Sequence, residues 1–159
     1  MRWTIFLTAL AACCLFQPLL NADDSDGIVG VWITHGGDVR VEITKAANGT
    51  YQGAIVWMEK PEYGSDEEET GKPRHDKNNP DKAKQSRPLM GLNVLEGFKY
   101  DKGNVWKGGL VYDPDNGKTY KCTLTLVDQN NLDVRGFIGI SLIGRTEHWP
   151  RYVPPQEKK

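Results

Sequence analysis

Alternation of apolar and polar side chains limits what this chain can fold into more than any other feature of its sequence. Along residues 39–44 every Val or Ile is followed by Arg, Glu or Thr, a two-residue period that places one apolar and one wet face on a β-strand. Similar short segments recur between clusters of turn-forming residues, without a convincing stretch of helical 3.6-residue period. The pattern predicts an all-β protein.

Eight such segments follow one another between residues 28 and 149. They cover residues 28–34, 39–44, 51–58, 94–100, 105–112, 118–127, 132–138 and 142–149. Asn48-Gly49 is typical of a hairpin turn, and clusters of Asp, Asn and Gly separate the later segments. Eight antiparallel strands with short connections favour a closed barrel, because closure removes edges that invite aggregation. A β-sandwich is the alternative.

A long charged connection interrupts this series between Tyr63 and Arg87. It contains scarcely an apolar residue, carries four acidic residues in succession, and is rich in Lys and Arg in its second half. Because such a composition cannot supply a core, we expect a solvated loop that is either mobile or functional. The Asp and Asn residues before Pro80 are typical of turns fixed by side-chain hydrogen bonds.

The amino-terminal segment is typical of a secretory signal peptide. Arg2 precedes an apolar run over residues 3–16, and Ala22 lies before two acidic residues. We therefore expect residues 1–22 to be removed on export, which makes the protein periplasmic or secreted. Leu10-Ala11-Ala12-Cys13 resembles the site where bacterial lipoproteins are cut, but a lipid on Cys13 is the weaker interpretation because a second apolar stretch would follow the cut.

The remaining chain is predicted to form a single β-barrel domain over residues 23–153. A flexible tail over residues 154–159 follows, since its Pro-Pro and Lys-Lys pairs favour fraying. Cleavage after residue 22 leaves Cys122 as the one thiol, which excludes an internal disulfide. The core must therefore hold by packing, as a domain of this size can.

The charge balance excludes one broad class of partner. Lys and Arg number 20 and Asp and Glu number 21, a formal net charge of -1. No overall positive field therefore exists to attract nucleic acid. Neither a stable membrane anchor nor a particular oligomeric state is indicated.

Residues that carry chemistry are scattered along the chain. The three histidines lack the short spacing to Cys or carboxylate residues that is typical of zinc sites, and no cofactor motif is present. We therefore expect neither a metal nor a cofactor, and an enzyme is the less favoured interpretation. Its candidates are Asp76, Asn79 and Arg87, which would have to converge beside a cleft at the barrel rim.

Several motifs together resemble a known family. Gly30-Val31-Trp32 resembles the Gly-x-Trp signature of lipocalins, and the later motifs resemble an exported bacterial family of unknown function, DUF2147. These motifs lie at residues 76–80, 87–91, 106–109, 112–120, 134–136 and 149–151. The resemblance covers nearly all of the chain from Gly27 to Arg151. It implies a lipocalin-like barrel, a periplasmic or secreted setting and binding of a small apolar ligand, but no reaction, cofactor or catalytic residue.

The same resemblance implies how one end of the barrel closes. In lipocalins an arginine of the last strand lies across the Trp of the Gly-x-Trp signature. Here Gly30 and Trp32 would supply the signature, Arg145 or Arg151 the arginine, and Trp149 would lie beside it. A guanidinium over a buried indole contributes about 1 to 2 kcal/mol, so this role is structural.

Bulky side chains are the candidates for a ligand surface, since aromatic faces supply large apolar contacts. These candidates are Tyr51, Ile55, Trp57, Phe98, Trp106 and Tyr120. Core packing is the alternative role for them, because a small barrel can be filled entirely by its own side chains. The alternation does not say which face of each strand points inward.

Three functions follow from these interpretations. The favoured one is an exported lipocalin-like protein that binds a small apolar or amphipathic ligand in its barrel. The second is a cell-envelope interaction protein with a filled barrel that acts through the loop at residues 63–87. The third is an enzyme with its site at Asp76, Asn79 and Arg87.

Overall fold

The structure is a computed structural model that describes residues 24–156, so the predicted signal peptide and Cys13 lie outside the described residues. Eight strands follow in chain order: β1 Gly30–Ile33, β2 Val39–Lys45, β3 Tyr51–Met58, β4 Asn93–Lys102, β5 Val105–Asp113, β6 Lys118–Asp128, β7 Asn131–Phe137 and β8 Gly144–Pro150. Each strand pairs with the next in one antiparallel sheet. The prediction of an all-β chain with eight strands is confirmed.

The two outer strands of the sheet meet and nearly close it into a barrel. Trp32 in β1 forms an antiparallel bridge with Arg151, directly after β8. The Tyr152 N–H donates to the Val31 carbonyl at 2.8 Å. Since this seam covers the two edges, the barrel prediction is confirmed and the sandwich alternative is wrong.

The up-and-down order of the strands gives the barrel two different ends. The closed end carries the short turns at residues 46–50, 103–104 and 129–130, together with a 3-10 helix at Asp24–Asp26. The mouth carries the connections at residues 34–38, 59–92, 114–117 and 138–143. The two long connections between strands, 59–92 and 138–143, therefore lie at the same end of the barrel.

Large aromatic side chains fill the closed end. Trp32, Tyr51, Phe98 and Trp106 are at most 1% exposed. The Trp106 Nε1–H donates to the Ser25 carbonyl at 3.0 Å, and the Trp32 Nε1–H donates to the Ile28 carbonyl at 2.8 Å. Each indole therefore buries its ring while its N–H is hydrogen-bonded.

One arginine closes this end. The Arg151 guanidinium lies 4.1 Å from the centre of the Trp32 ring and donates to the carbonyls of Gly27, Val29 and Gln129 at 2.7, 2.9 and 2.7 Å. Gly30 has φ +133°, and a Cβ there would lie 2.6 Å from the guanidinium. Glycine is therefore required both by the backbone conformation and by the close approach of the arginine.

The alternative assignment of this role to Arg145 is wrong. Arg145 lies at the mouth, its side chain is 74% exposed, and its Nη2 is 3.7 Å from the Glu147 Oε1. Arg145 lies at the start of β8, which runs from the mouth to the closed end, whereas Arg151 directly follows its last residue, so only Arg151 reaches Trp32. Trp149 is buried between these two positions.

The long connection is folded, and the expected solvated loop is wrong for part of it. The Asp76 N–H donates to the Arg87 carbonyl at 3.0 Å, and a 3-10 helix at Lys82–Lys84 is capped by the Asp81 side chain. Tyr63, Asp76 and Asn79 are buried. Polar side chains tolerate burial where they hydrogen-bond to one another, which composition alone does not reveal.

We predict that Arg151→Met destabilises the barrel by about 2 to 3 kcal/mol, since it removes the cation–π contact and the charged donors to three carbonyls. Urea unfolding followed by tryptophan fluorescence measures this change. Arg145→Met is the matched control at the exposed mouth and is expected to change the free energy of unfolding by less than about 0.5 kcal/mol. Equal losses in the two variants would contradict the assigned role.

Candidate functional site

A cavity of about 910 Å³ opens at the mouth of the barrel. Its volume lies within the range of small-molecule sites in proteins. The buried part of its lining is apolar and includes Val41, Ile55, Val94, Val134 and Trp149. The mouth half of the barrel is therefore not filled by its own side chains.

A change in side-chain volume along each strand creates this cavity. On β3 the inward positions pass from Tyr51 at the closed end through Gly53 to Ile55 towards the mouth. On β5 they pass from Trp106 to Val111. Because large rings occupy one end and aliphatic side chains the other, the same inward face plugs the closed end and lines an open space.

Of the six predicted ligand-binding residues, two line the cavity, three lie in the core of the closed end, and Trp57 lies elsewhere. Ile55 and Tyr120 line the cavity. Tyr51, Phe98 and Trp106 belong to the core of the closed end, so the expectation that they line a cavity is wrong. The alternation of the sequence distinguishes the two faces of a strand but not the depth of a residue within the barrel, which explains the error.

Trp57 also lies away from the cavity. It pairs with Arg40 across β2 and β3, and the Arg40 guanidinium lies 4.0 Å from the centre of the Trp57 ring and 3.8 Å from that of Tyr152. The arginine is thus stacked between two aromatic rings next to the seam. The sequence analysis does not identify the valines of the cavity, because its candidates are chosen for large, mostly aromatic side chains.

Polar groups lie on the inner wall between the apolar cavity and the solvent. Arg145, Glu147 and Trp149 occupy alternate positions of β8 and all line the cavity. The Trp149 Nε1–H donates to the Glu147 Oε2 at 3.2 Å. A molecule with an apolar body and a polar end would therefore meet matching groups at both depths of this wall.

The three predicted rim residues converge around one buried carboxylate. Asp76 has no exposed surface. Its Oδ2 accepts hydrogen bonds from the Asn79 Nδ2 at 2.7 Å and the Arg87 Nε at 2.8 Å. Its Oδ1 accepts from the Tyr112 hydroxyl at 2.5 Å, and the Asn79 Nδ2 lies 3.0 Å from the same hydroxyl oxygen. Both carboxylate oxygens are thus hydrogen-bonded within the chain.

This cluster attaches the long connection to the barrel wall. Tyr112 is the fourth member that sequence reasoning missed, and it lies in β5 rather than in the loop. Burial and the hydrogen bond to Asp76 both raise the pKa of the Tyr112 hydroxyl, so it stays protonated and donates. Since Asp76 is enclosed and bonded at both oxygens, the geometry favours a structural anchor over a catalytic carboxylate.

A second contact holds the same connection against the β5–β6 turn. The Asn78 Nδ2 donates to the carbonyls of Pro114 and Asp115 at 3.0 and 2.9 Å. A Cβ on Gly117 would lie 1.9 Å from the Asn78 carbonyl oxygen. The glycine is therefore needed for the close approach of the two backbones as well as for its φ of +68°.

His75 fixes the loop next to the cavity, which it also lines. Its Nδ1 lies 2.6 Å from the Gln85 carbonyl oxygen, and its Nε2 contacts the Glu69 carboxylate. Both partners are acceptors, so the doubly protonated ring satisfies both. The Glu69 contact first and the Gln85 carbonyl second raise the pKa of His75 above its ordinary value of 6.5.

Other reactive groups are not arranged for chemistry. Burial raises the pKa of the Cys122 thiol to about 12, which keeps the sulfur protonated and unreactive. Within residues 24–156, no group of three or more His, Cys, Asp and Glu side chains is placed to hold a metal ion. No helix in the same range is long and apolar enough to cross a membrane.

The fold and the site together define a lipocalin-like barrel, closed at one end by an arginine over the Gly-x-Trp indole and open to a cavity at the other. A solved structure with this fold is described as "Protein HP1028 from the human pathogen Helicobacter pylori belongs to the lipocalin family". It matches with a TM-score of 0.66 and 20% identity, over 80% of this chain and 84% of that chain.

The sequence itself gives the family. The family model described as "Uncharacterized protein conserved in bacteria (DUF2147)" matches residues 30–151, and the chain belongs to this family. No curated protein sequence matches the chain.

We predict that Tyr112→Phe destabilises the protein by about 1 to 3 kcal/mol, because it leaves a buried oxygen of Asp76 without its donor. Urea unfolding gives the change in the free energy of unfolding. Tyr120→Phe removes a hydroxyl that contacts only the exposed Asn116 side chain among the described residues and is expected to change stability little. A Tyr112→Phe protein as stable as its parent would show that the cluster does not hold the loop.

The His75 contacts predict a pH dependence of the loop. Because the pKa of His75 is raised, its contribution is complete below about pH 6.5 and is lost as the pH rises through the raised value. NMR titration of the imidazole C–H signals measures the pKa of His75. Amide exchange at Tyr63 and Gly71, whose N–H groups are hydrogen-bonded within the loop, measures the stability of the loop. Glu69→Gln should return the pKa of His75 towards its ordinary value, whereas the neighbouring Glu68→Gln should not. Identical titrations in both variants would rule out the Glu69 contact.

Proposed function

We propose that this protein is exported and binds a small apolar or amphipathic molecule in the mouth half of its barrel. The observation that carries the proposal is the cavity of about 910 Å³ with apolar inner walls. A barrel that served only as a rigid scaffold would gain stability from larger side chains here, since they would bury more apolar surface. The lipocalin-like fold of the family supports the same function.

The lining of the cavity favours an amphipathic ligand. Val41, Ile55 and Val94 line the cavity and are buried, so they offer apolar contact. Arg145 and Glu147 line the same cavity from the mouth end of β8, with side chains that are 74% and 34% exposed. A ligand placed with its apolar part inward would keep its polar part next to these charges and the solvent. Burial of the apolar part supplies the affinity, at about 25 cal/mol per Å² of apolar surface.

The proposed export is supported by the sequence of residues 1–22, with its basic start, apolar run and small residue before an acidic pair. Cleavage after residue 22 would leave in the processed chain all the residues that build the eight strands and the contact between Arg151 and Trp32. The processed protein is therefore proposed to reside in the periplasm or outside the cell.

The two other functions have less support. A filled barrel that acts through the loop at residues 63–87 conflicts with the open cavity. An enzyme at Asp76, Asn79 and Arg87 would need a carboxylate that a substrate can reach, whereas Asp76 is fully buried and hydrogen-bonded. Convergence of these residues is explained by the attachment of the loop.

A fluorescent fatty acid such as cis-parinaric acid tests the proposed binding. We expect saturable, stoichiometric binding by the parent protein. Val111→Trp places a large ring in the cavity and should weaken binding at least about tenfold, a loss of about 1.4 kcal/mol. Leu110→Trp is the matched control, because the neighbouring side chain points out of the barrel and is 44% exposed. Equal binding by both variants would place the probe outside the cavity, and no binding by the parent would contradict the apolar ligand class.

A further inference from the structure

The β7–β8 connection at the mouth exposes an unusual amount of apolar surface. Four of its six residues are large aliphatic side chains, and their exposed fractions lie between 60% and 84%: Ile138, Ile140, Leu142 and Ile143. Single exposed aliphatic residues are ordinary, but four of them within one short loop form a contiguous apolar tip. We name residues 138–143 the apolar loop.

Hydrogen bonds within the chain satisfy part of the backbone of the apolar loop. The Ile138 N–H donates to the Ile143 carbonyl at 3.3 Å, and the Ile143 N–H donates to the Ile140 carbonyl at 3.1 Å. The Arg135 guanidinium donates twice to the Ser141 carbonyl, at 3.0 and 2.7 Å. Backbone groups that enter hydrocarbon need such internal partners, because lipid supplies none.

Two cations flank the apolar loop. Arg135 lies in β7 before the loop and donates to it. Arg145 is the second residue of β8, directly after the loop, and its side chain is 74% exposed. Arginines beside an apolar tip lie at the depth of phosphate groups when the tip enters a bilayer. Asp113 at the end of β5 and Asp115 in the β5–β6 turn also lie at the mouth, so the attraction to anionic lipids should be modest rather than dominant.

From these observations we propose that the apolar loop docks the protein on a phospholipid bilayer, with the mouth of the barrel towards the lipid. The aliphatic tip enters the interfacial region, and the exposed Arg145 side chain contacts lipid phosphates. A protruding aliphatic tip suits fluid lipid, which adapts to its shape, whereas protein hot spots are rich in Trp, Tyr and Arg in fitted pockets. This is peripheral attachment by a loop and does not require a membrane-spanning anchor.

The orientation connects the docked face with the cavity. Ile138 and Ile143 also line the cavity mouth, so apolar surface continues from the loop tip into the barrel. A docked protein would therefore present its cavity directly to the bilayer. Docking itself does not depend on the proposed ligand function, because the loop is apolar whether or not the cavity is occupied.

Co-sedimentation with vesicles of phosphatidylethanolamine and phosphatidylglycerol tests the proposal. The processed protein is used, since the apolar run at residues 3–16 would itself bind vesicles. We expect the double variant Ile140→Ser/Leu142→Ser to lower the partition coefficient by roughly 10- to 100-fold, from the apolar area removed. The variant Ile140→Met/Leu142→Met keeps that area and should retain binding.

The double variant Val127→Ser/Val153→Ser is the matched control. Val127 and Val153 are 59% and 63% exposed but lie towards the closed end, so vesicle binding should stay within about twofold of the parent. Circular dichroism verifies the fold of each variant. Absence of vesicle binding by the parent, or an equal loss in the loop and control variants, would overturn the proposal. Self-association that the loop variant abolishes, without lipid binding, would assign the loop to a second copy of the chain instead.

Discussion

Contact between Arg151 and Trp32 is the interaction on which the rest of the structure depends. It lies at the seam where β8 returns to β1, and three carbonyls hold the guanidinium against the indole ring. The seam converts a meander of eight strands into a nearly closed barrel. Gly30 leaves room for this guanidinium. The Gly-x-Trp sequence of β1 and the distant Arg151 therefore close the barrel together.

Closure at one end leaves the other end free for function. The four buried aromatic residues of the closed end and the 3-10 helix at Asp24–Asp26 supply packing there, so the valine-lined half need not be filled. All the long connections lie around this open half. The buried Asp76 cluster and the Asn78 contacts hold the longest of them, whereas the apolar loop remains exposed.

The sequence predicts the strands better than the site. Period-two alternation and Asp, Asn and Gly turns are local signals, and seven of the eight predicted segments differ from the observed strands only at their ends, while β3 matches at both. The depth of a residue within the barrel depends on the whole fold and not on the local sequence. Phe98 and Trp106 therefore have the pattern of cavity-lining residues but belong to the core of the closed end. The choice between Arg145 and Arg151 likewise required the position of each residue along β8.

The rim residues show a different limit of sequence reasoning. Asp76, Asn79 and Arg87 were recognisable as a group because they lie close together in the chain. Their common partner Tyr112 is distant in sequence and comes from β5, so the buried hydrogen-bond network was not predictable. A segment with few apolar residues can thus contribute buried polar groups once a strand supplies the missing donor.

Native mass spectrometry of the protein isolated from its natural source is the decisive test of ligand binding in the barrel. We expect a mass above that of the processed chain and, after denaturation, release of one small apolar or amphipathic molecule per barrel. A protein that carries no such molecule and takes up none when challenged with fatty acids would contradict the claim that the cavity is a ligand site.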